Sequence, residues 1–128
     1  MVRILRALPA IVLASSMTVC ASSALAAGDA AAGAKSAKLC MICHTVTKGG
    51  ASLIGPNLFD VVGRKAGSVA GFSYSPGMKG SGLTWDEATL TKYLMSPKAI
   101  VPGSKMIFNG FTKQDEAESV AAYLATLK

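Results

Sequence analysis

The feature that most restricts this chain is a five-residue motif, Cys40-Met41-Ile42-Cys43-His44, which contains its only histidine. A single histidine excludes sites that need two, such as two-histidine zinc sites and the facial iron triad. Cys-x-x-Cys-His is typical of covalent attachment of c-type haem. Two thiols at this spacing reach the two vinyl groups on one side of a porphyrin, and the next residue brings an imidazole to the iron. The motif therefore predicts one haem c per chain, bound through Cys40 and Cys43.

Two other chemistries use closely spaced cysteines. A thioredoxin-like redox pair sits at the start of a helix within a strand-helix-strand unit, whereas this pair follows a predicted helix and has no strand before it. A zinc site would have only the three nearby ligands, because no second cysteine pair exists in the chain. A disulfide here would close too short a loop to add much stability. Haem attachment is the favoured interpretation, and the dithiol and the zinc site stay as alternatives.

The N-terminus predicts export. Arg3 and Arg6 are followed by 22 uncharged residues, 7–28, with a short apolar core and the small-residue stretch Ala24-Leu25-Ala26. This is the pattern of a secretory signal peptide over residues 1–26, cleaved after Ala26. The alternative is an uncleaved membrane anchor, because a segment of this length can just span a bilayer. Its many alanines and serines make it a weak span.

Without the leader, one domain over residues 27–128 remains. It has 102 residues, 11 basic and 7 acidic side chains, and therefore a net charge of +4. Only the two cysteines of the motif are left, because Cys20 leaves with the leader. The domain has no basic run with interleaved aromatic residues, so nucleic-acid binding is not favoured.

Apolar periodicity predicts an all-α fold, because strict apolar/polar alternation is absent. Asp29 can cap a first helix, roughly residues 30–39, that runs into the cysteine pair. Residues 56–62 predict a short apolar turn or helix, closed by Gly63. These two elements lie on either side of the motif.

Two further helices are predicted in the second half of the chain. Thr84 and Glu87 form a capping box for a helix that ends before Pro97 and carries Leu90, Tyr93 and Leu94 on one side. A last helix begins at about Lys113 or Asp115. Its apolar stripe has three- and four-residue spacing: Ala117, Val120, Ala121, Leu124 and Leu127.

Long irregular stretches separate these helices. Residues 45–55, 63–82 and 97–110 are rich in Gly, Ser, Pro and Lys. So much loop in so small a domain argues against an ordinary packed core, and the loops need a large apolar object around which to wrap. The expected fold is about four helices plus long loops wrapped around one covalently attached haem.

The second axial ligand of the iron cannot be a histidine, so the methionines are the candidates. Met41 lies between the attachment cysteines, and Met95 lies in the last turn of the third predicted helix. Met78 and Met106 are both predicted in loops, and the ordinary role of either is to fill a gap in the core. Met106 follows the stiff turn Pro102–Lys105, whereas Met78 lies among glycines, so Met106 is favoured.

The chain resembles class I cytochromes c of the mitochondrial type, including their bacterial soluble relatives, over nearly all of the exported domain. The ordered set of matching segments is far more specific than the haem-attachment motif alone. These segments are Gly28-Asp29, Gly33, Cys40–Thr45, Gly55–Leu58, Gly63-Arg64, Gly71–Tyr74, Thr84-Trp85, Tyr93-Leu94, Pro97-Lys98, Pro102–Met106 and Ala122–Leu124.

The resemblance implies a role for each candidate site residue. His44 and Met106 are the axial ligands, Cys40 and Cys43 carry the thioethers, and the Pro56 carbonyl accepts the His44 ring N–H. Tyr93 matches the tyrosine near the Met sulfur, and Gly33 lets the first and last helices cross closely. Trp85 and Tyr93 are also compatible with plain core positions. The positions that hold the haem propionates are Arg64, Tyr74, Trp85 and Ser104.

The chain departs from the family pattern at three places. Ala37 stands where an aromatic residue usually packs against the last helix, so a weaker contact is expected there. Met78 stands where the mitochondrial proteins have an asparagine near a buried water. Ala51 and Leu53 occupy positions that are often lysine on the partner-docking face, so the partner's identity does not carry over.

A haem with histidine and methionine ligands has no vacant position, so the predicted function is one-electron transfer by a monomeric periplasmic carrier without a small-molecule substrate. The thioether predicts a potential more positive than that of His/His ligation. Lys48, Lys98, Lys105 and Lys113 can steer docking to an acidic partner. A quinol-oxidising reductase, a terminal oxidase, a photosynthetic reaction centre or a periplasmic dehydrogenase fits as partner. The alternatives are a haem enzyme or gas sensor with open iron, and an exported thiol-disulfide oxidoreductase.

Overall fold

A computed structural model describes residues 28–128 of the chain. The predicted signal peptide, residues 1–26, lies outside the described residues. Within the described part, five α-helices and one 3₁₀ segment are separated by long loops, and the sole β pairing is an isolated bridge between Lys65 and Thr84. No helix between residues 28 and 128 has both the length and the apolar character needed to cross a membrane.

The first predicted helix forms, but it tightens before it reaches the motif. Helix α1 spans Ala30–Ser36, and Asp29 caps it by accepting the backbone N–H groups of Ala31 and Ala32. A 3₁₀ segment, Ala37–Ile42, continues the chain and carries the first attachment cysteine. Its tighter winding turns the chain out of the helix axis where the motif begins.

Two short helices lie in stretches that were expected to be irregular. Helix α2 spans Pro76–Gly80 and is capped by the Ser75 hydroxyl, which accepts the backbone N–H of Met78. Helix α4 spans Pro97–Ile100. In both, a proline at the first helical position supplies a fixed φ where no N–H partner is needed. Met78 is therefore in a helix and not in a loop, which corrects the sequence prediction.

The third predicted helix is present as α3, Glu87–Met95, with Leu90, Tyr93 and Leu94 buried. Its cap differs from the predicted box of Thr84 and Glu87. The Asp86 side chain accepts the backbone N–H of Thr89, so Asp86 is the N-cap residue. An aspartate directly before the helix competes better for this position than a threonine two residues earlier.

The last helix, α5, spans Gln114–Ala125 and buries most of the predicted stripe. Leu127 lies beyond its end and packs on the core from a non-helical segment. Residues 56–62 form turns and not a helix, and Gly63 has a φ of 91°, which favours glycine.

The core forms where α5 meets α1 and α3. Ala117, Val120 and Ala121 of α5 are almost completely buried, with exposed fractions of 0%, 0% and 1%. A Cβ atom on Gly33 would overlap the backbone of Ser119, so α1 and α5 approach as closely as the sequence predicted. This helical framework leaves the loops between residues 43 and 75 and between 101 and 111 to enclose the remaining interior.

Candidate functional site

A single cavity of about 260 Å³ brings together all of the site residues named from the sequence. Helices α3 and α5 contribute part of the wall, and loops contribute the rest. The predicted residues that line it are Cys40, Cys43, His44, Pro56, Arg64, Tyr74, Trp85, Tyr93, Ser104 and Met106. These residues are spread over 67 positions of the chain, so only the fold places them together.

The turn after the cysteine pair holds His44 firmly. His44 Nδ1 lies 2.6 Å from the carbonyl oxygen of Pro56, which fixes Nδ1 as the donor and leaves Nε2 as the nitrogen available to a metal. Burial lowers the pKa of His44, an effect opposed by the Pro56 hydrogen bond and reinforced by the charge of Arg64. The neutral imidazole, the form that binds iron, is therefore favoured.

Gly55 and Asn57 support this turn, and the sequence analysis assigned them no role. A Cβ atom on Gly55 would overlap the His44 ring, so only glycine leaves the imidazole in place. The Asn57 amide donates to Thr45 Oγ1 at 2.7 Å and to the Thr47 carbonyl at 3.0 Å. The signal was the sequence Gly55–Leu58 itself, since glycine, proline and asparagine together favour a fixed loop.

The Met106 segment is held by a hydroxyl pair. Tyr93 Oη and Ser104 Oγ are 3.2 Å apart, and the Met106 backbone N–H donates to Ser104 Oγ at 3.4 Å. Burial raises the pKa of Tyr93, so this phenol is protonated at neutral pH. Helix α3 thereby positions the backbone beside the Met106 sulfur.

Arg64 and Tyr74 reach the cavity with unused hydrogen-bond capacity. Arg64 donates to the carbonyl oxygens of Asn57 at 2.9 Å and Phe59 at 3.2 Å, so part of its five-donor guanidinium is not engaged by them. The Tyr74 hydroxyl accepts the Val69 N–H at 3.1 Å, which leaves its own proton to be donated. Both side chains can therefore bind carboxylates that enter the cavity.

Trp85 lies both in the helical core and at the wall of the cavity. Its side chain is 7% exposed and belongs to the core, yet it also lines the cavity. Its ring packs against Tyr93 with centroids 4.9 Å apart. The pair therefore connects the helical core to the wall of the cavity.

The cysteines have the wrong environment for dithiol chemistry. Cys40 and Cys43 are not joined in a disulfide. Burial raises the pKa of Cys40, and the neighbouring Cys43 adds to this effect, although a backbone hydrogen bond opposes it. Catalytic dithiols need a lowered pKa, because the thiolate is the nucleophile. Two free cysteines that line one apolar cavity instead fit covalent attachment to a bound group.

The cavity fits a haem in the chemistry of its wall. Besides the thiols and His44, the lining is mostly apolar and contains several side chains that the sequence analysis did not connect to the site. These are Leu58, Val61, Phe72, Leu90, Leu94, Phe108 and Leu124. Met78, the alternative ligand candidate, also lines the cavity. Leu90, Leu94 and Leu124 lie on helices and follow the helical period. The other lining residues show no regular spacing in the sequence.

Ala37 and Met78, the two interior departures from the family pattern, lie in different surroundings. Ala37 is 1% exposed and belongs to the core near α5. Met78 packs on the core from α2 and lines the cavity. Met78 thus brings a thioether to the wall of the cavity.

Comparison with known proteins gives a consistent result. A family profile described as cytochrome c matches residues 30–128. Cytochrome c2 of Rhodomicrobium vannielii is 50% identical over 116 residues, which cover 91% of this chain and 93% of that protein. Cytochrome c2 of Rhodospirillum rubrum is 49% identical, with 83% of this chain and 86% of that protein covered.

The fold agrees with a solved structure. Cytochrome cH from Methylobacterium extorquens superposes with a TM-score of 0.71 at 44% identity, covering 77% of this chain and 99% of that one. The helical fold, the lined cavity and the haem-attachment motif lead to the same conclusion as these relatives. The chain belongs to the cytochrome c family and is a class I electron-transfer protein that carries covalently bound haem c.

Proposed function

We propose that this chain is exported to the periplasm and carries single electrons between redox proteins, with His44 and Met106 as the axial ligands of its haem. One observation carries the ligand assignment: both side chains, together with Cys40 and Cys43, line the same cavity. Bound haem supplies an iron that alternates between the ferric and ferrous states.

The protein's own residues keep the structural change between the ferric and ferrous states small and reversible. Pro56 holds the His44 ring in one orientation. Ser104 and Tyr93 hold the Met106 backbone. The apolar wall excludes water, and two axial side chains leave no position for a substrate, so electron transfer needs no bond to an external ligand.

Arg64, Tyr74, Trp85 and Ser104 are the proposed partners of the haem propionates. Arg64 is half-buried, and burial lowers the pKa of its guanidinium without removing its charge near neutral pH. A cation with donors left over fits a carboxylate better than any other group in the wall. Ser104 has one hydroxyl proton, so it can donate to a propionate when it accepts from both Tyr93 Oη and the Met106 N–H.

Docking partners are proposed by charge. Lys48, Lys98, Lys105 and Lys113 are exposed. Lys105 also lines the cavity and donates to the Ser73 carbonyl at 3.1 Å. These cations fit an acidic patch on a quinol-oxidising reductase, a terminal oxidase, a photosynthetic reaction centre or a periplasmic dehydrogenase.

Replacing Met106 by alanine tests the ligand assignment. We expect the sulfur-to-iron absorption band to disappear and the reduction potential to fall by a few tenths of a volt, within the roughly 0.8 V range that axial ligands span. Carbon monoxide should then bind readily to the ferrous variant. Met78→Ala is the matched control and should keep the band.

A different result supports another function. If Met106→Ala leaves the band and the potential unchanged, Met106 is not the ligand. If the unaltered protein is high-spin and binds carbon monoxide readily, the iron is open and the haem enzyme or gas sensor is favoured. The mass of the exported protein tests cleavage after Ala26, and a chain that still includes residues 1–26 contradicts it.

A further inference from the structure

The two asparagines of this chain, Asn57 and Asn109, lie in opposite surroundings. Asn57 is half-buried, and its amide donates to Thr45 Oγ1 and to the Thr47 carbonyl. Its side-chain oxygen accepts the Phe59 N–H at 2.9 Å. Asn109 is exposed, and its side chain has no hydrogen-bond partner in the part of the chain that the structure describes. The Asn57 amide therefore has a structural role, whereas no contact accounts for the amide of Asn109.

The residue after Asn109 is a glycine that the fold requires. Gly110 has a φ of 110°, which favours glycine, and a Cβ atom there would overlap the Met95 carbonyl. Phe111 donates its N–H to the Leu94 carbonyl at 2.8 Å, which fixes this end of the loop against α3. The Gly110 N–H itself has no acceptor among the described residues. The backbone nitrogen that follows Asn109 is therefore free of hydrogen bonds, and no side chain shields it.

We propose that Asn109 is a site of spontaneous deamidation. The Gly110 nitrogen loses its proton to hydroxide and bonds to Cγ of Asn109, while the side-chain nitrogen leaves as ammonia. Water then opens the resulting five-membered succinimide ring at either of its two carbonyl groups. One opening gives aspartate in the ordinary chain, and the other gives isoaspartate, in which the chain continues through Cγ. The overall reaction is the hydrolysis of an amide, so it needs no oxidant, reductant or enzyme.

The surroundings of Asn57 oppose the same reaction at every step. The residue after it is Leu58, whose backbone N–H donates to the Thr45 carbonyl at 2.8 Å. The attacking nitrogen is therefore engaged, and it carries a branched side chain instead of a glycine hydrogen. The Asn57 amide would also have to break its own hydrogen bonds before it could react. The two asparagines form an internal comparison within one molecule.

Deamidation of Asn109 would change the charge of an unusual segment. Residues 88–114 contain four lysines and no aspartate or glutamate. A carboxylate at position 109 would be their first acidic group, and the one added negative charge lowers the formal charge of the exported domain from +4 to +3. Isoaspartate also adds a carbon to the backbone directly after Phe108, which lines the cavity. The modified form therefore differs from the original in charge and in the loop that carries Met106.

Timed incubation of the haem-bound protein at about pH 8 and about 37 °C tests the proposal. Trypsin cleaves after lysine and arginine, so it releases Asn109 in the peptide 106–113 and Asn57 in the peptide 49–64. Mass spectrometry then follows the gain of about 1 Da that accompanies the exchange of ammonia for water. An aliquot digested at time zero corrects for deamidation during digestion. We expect the peptide 106–113 to react at least about tenfold faster than the peptide 49–64.

Two variants connect this reaction to the charge of the folded protein. On cation exchange, the aged protein should gain a second, earlier peak at the position where unaged Asn109→Asp elutes. Asn109→Gln is the matched control and should keep a single peak, because its longer side chain would have to close a six-membered ring. Equal rates in the two peptides would show that the loop backbone prevents ring closure at Asn109, and the proposal would then be wrong. A second peak that also forms in Asn109→Gln would trace the charge change to another residue and overturn it as well.

Discussion

The two halves of this domain are stabilised in different ways. In the helical half, α5 packs directly on α1 and on α3, and Ala117, Val120 and Ala121 are buried without help from any cofactor. In the loop half, residues 43–75 and 101–111 have little regular structure and line a cavity. The loop half therefore needs a bound group to complete its interior, whereas Ala117, Val120 and Ala121 in the helical half are buried by protein alone.

The difference shows how a small chain with few helices can still form a stable fold. About 100 residues bury too little surface to stabilise so much loop with side chains alone. The loops instead direct Leu58, Phe72, Met78 and Phe108 into one cavity, where a large apolar cofactor replaces the missing core. The same arrangement leaves Leu39, Ile54 and Ile107 exposed at the edge of the cavity.

Removing the haem should have the largest effect on the stability of the domain. We expect the haem-free chain to lose most of its helical circular dichroism at 25 °C, because the loop half loses its core and the remaining helices are too short to persist alone. Chemical removal of the haem from the purified protein, followed by circular dichroism, checks this. A variant with both attachment cysteines replaced by serine is the control for damage by the chemical treatment. Native-like helicity without haem would show that the helical half folds independently.

A side chain placed at the close contact between α1 and α5 tests the stability of the helical half by itself. Gly33→Val forces a side chain into the backbone of Ser119, and we expect the free energy of unfolding to fall by about 2–4 kcal/mol. Denaturant unfolding of the haem-bound protein measures it. Gly80→Ala is the matched control, because a Cβ atom there meets nothing within 4 Å. An equal response of the two variants would contradict the close crossing.

The Tyr93–Ser104 pair joins the two halves, so its loss should have an intermediate effect. We expect Tyr93→Phe and Ser104→Ala each to lower the free energy of unfolding by about 1 kcal/mol. The effects should not add in the double variant, since both remove the same hydrogen bond. Thr91→Ala, on α3, is the control and should change the free energy of unfolding by at most about 0.5 kcal/mol. Fully additive losses would mean that the two hydroxyls act separately.

The smallest effect is expected at the cap of α3, and it depends on pH. The Thr89 backbone N–H lowers the pKa of Asp86 in the folded protein. A lowered pKa adds stability above the unfolded value of about 3.9, and this stability is lost as the pH falls through the folded value. Thermal unfolding of Asp86→Asn should therefore show a small deficit at pH 7 that shrinks as the pH falls through the lowered folded pKa. A deficit that stays constant with pH would mean that the carboxylate charge contributes nothing.

Sequence reasoning worked where the physical signal is local. The cap at Asp29, the buried face of α3 and the stripe on α5 follow from propensity and from a 3.6-residue period. It failed where neighbours compete or where no period exists. The N-cap of α3 is Asp86 and not the predicted capping box. Helices α2 and α4 form in stretches that lack an apolar repeat.

The haem site shows the same limit. Five adjacent residues, 40–44, predict the covalent attachment of haem, because the spacing of two thiols and an imidazole is a local property. Met106 was favoured by elimination among the methionines, whereas Pro56, Arg64, Tyr74, Trp85, Tyr93 and Ser104 could be assigned only by resemblance. Gly55 and Asn57, which hold the His44 turn, have no signal beyond the turn-forming character of their neighbours.

The amino-acid sequence by itself determined the cofactor, the helical class and the set of candidate ligands, because each depends on residue type and short spacing. Only the tertiary structure decided that ten residues spread along the chain share one cavity. Such proximity depends on how loops close over long stretches of chain. No short-range pattern in the sequence records it.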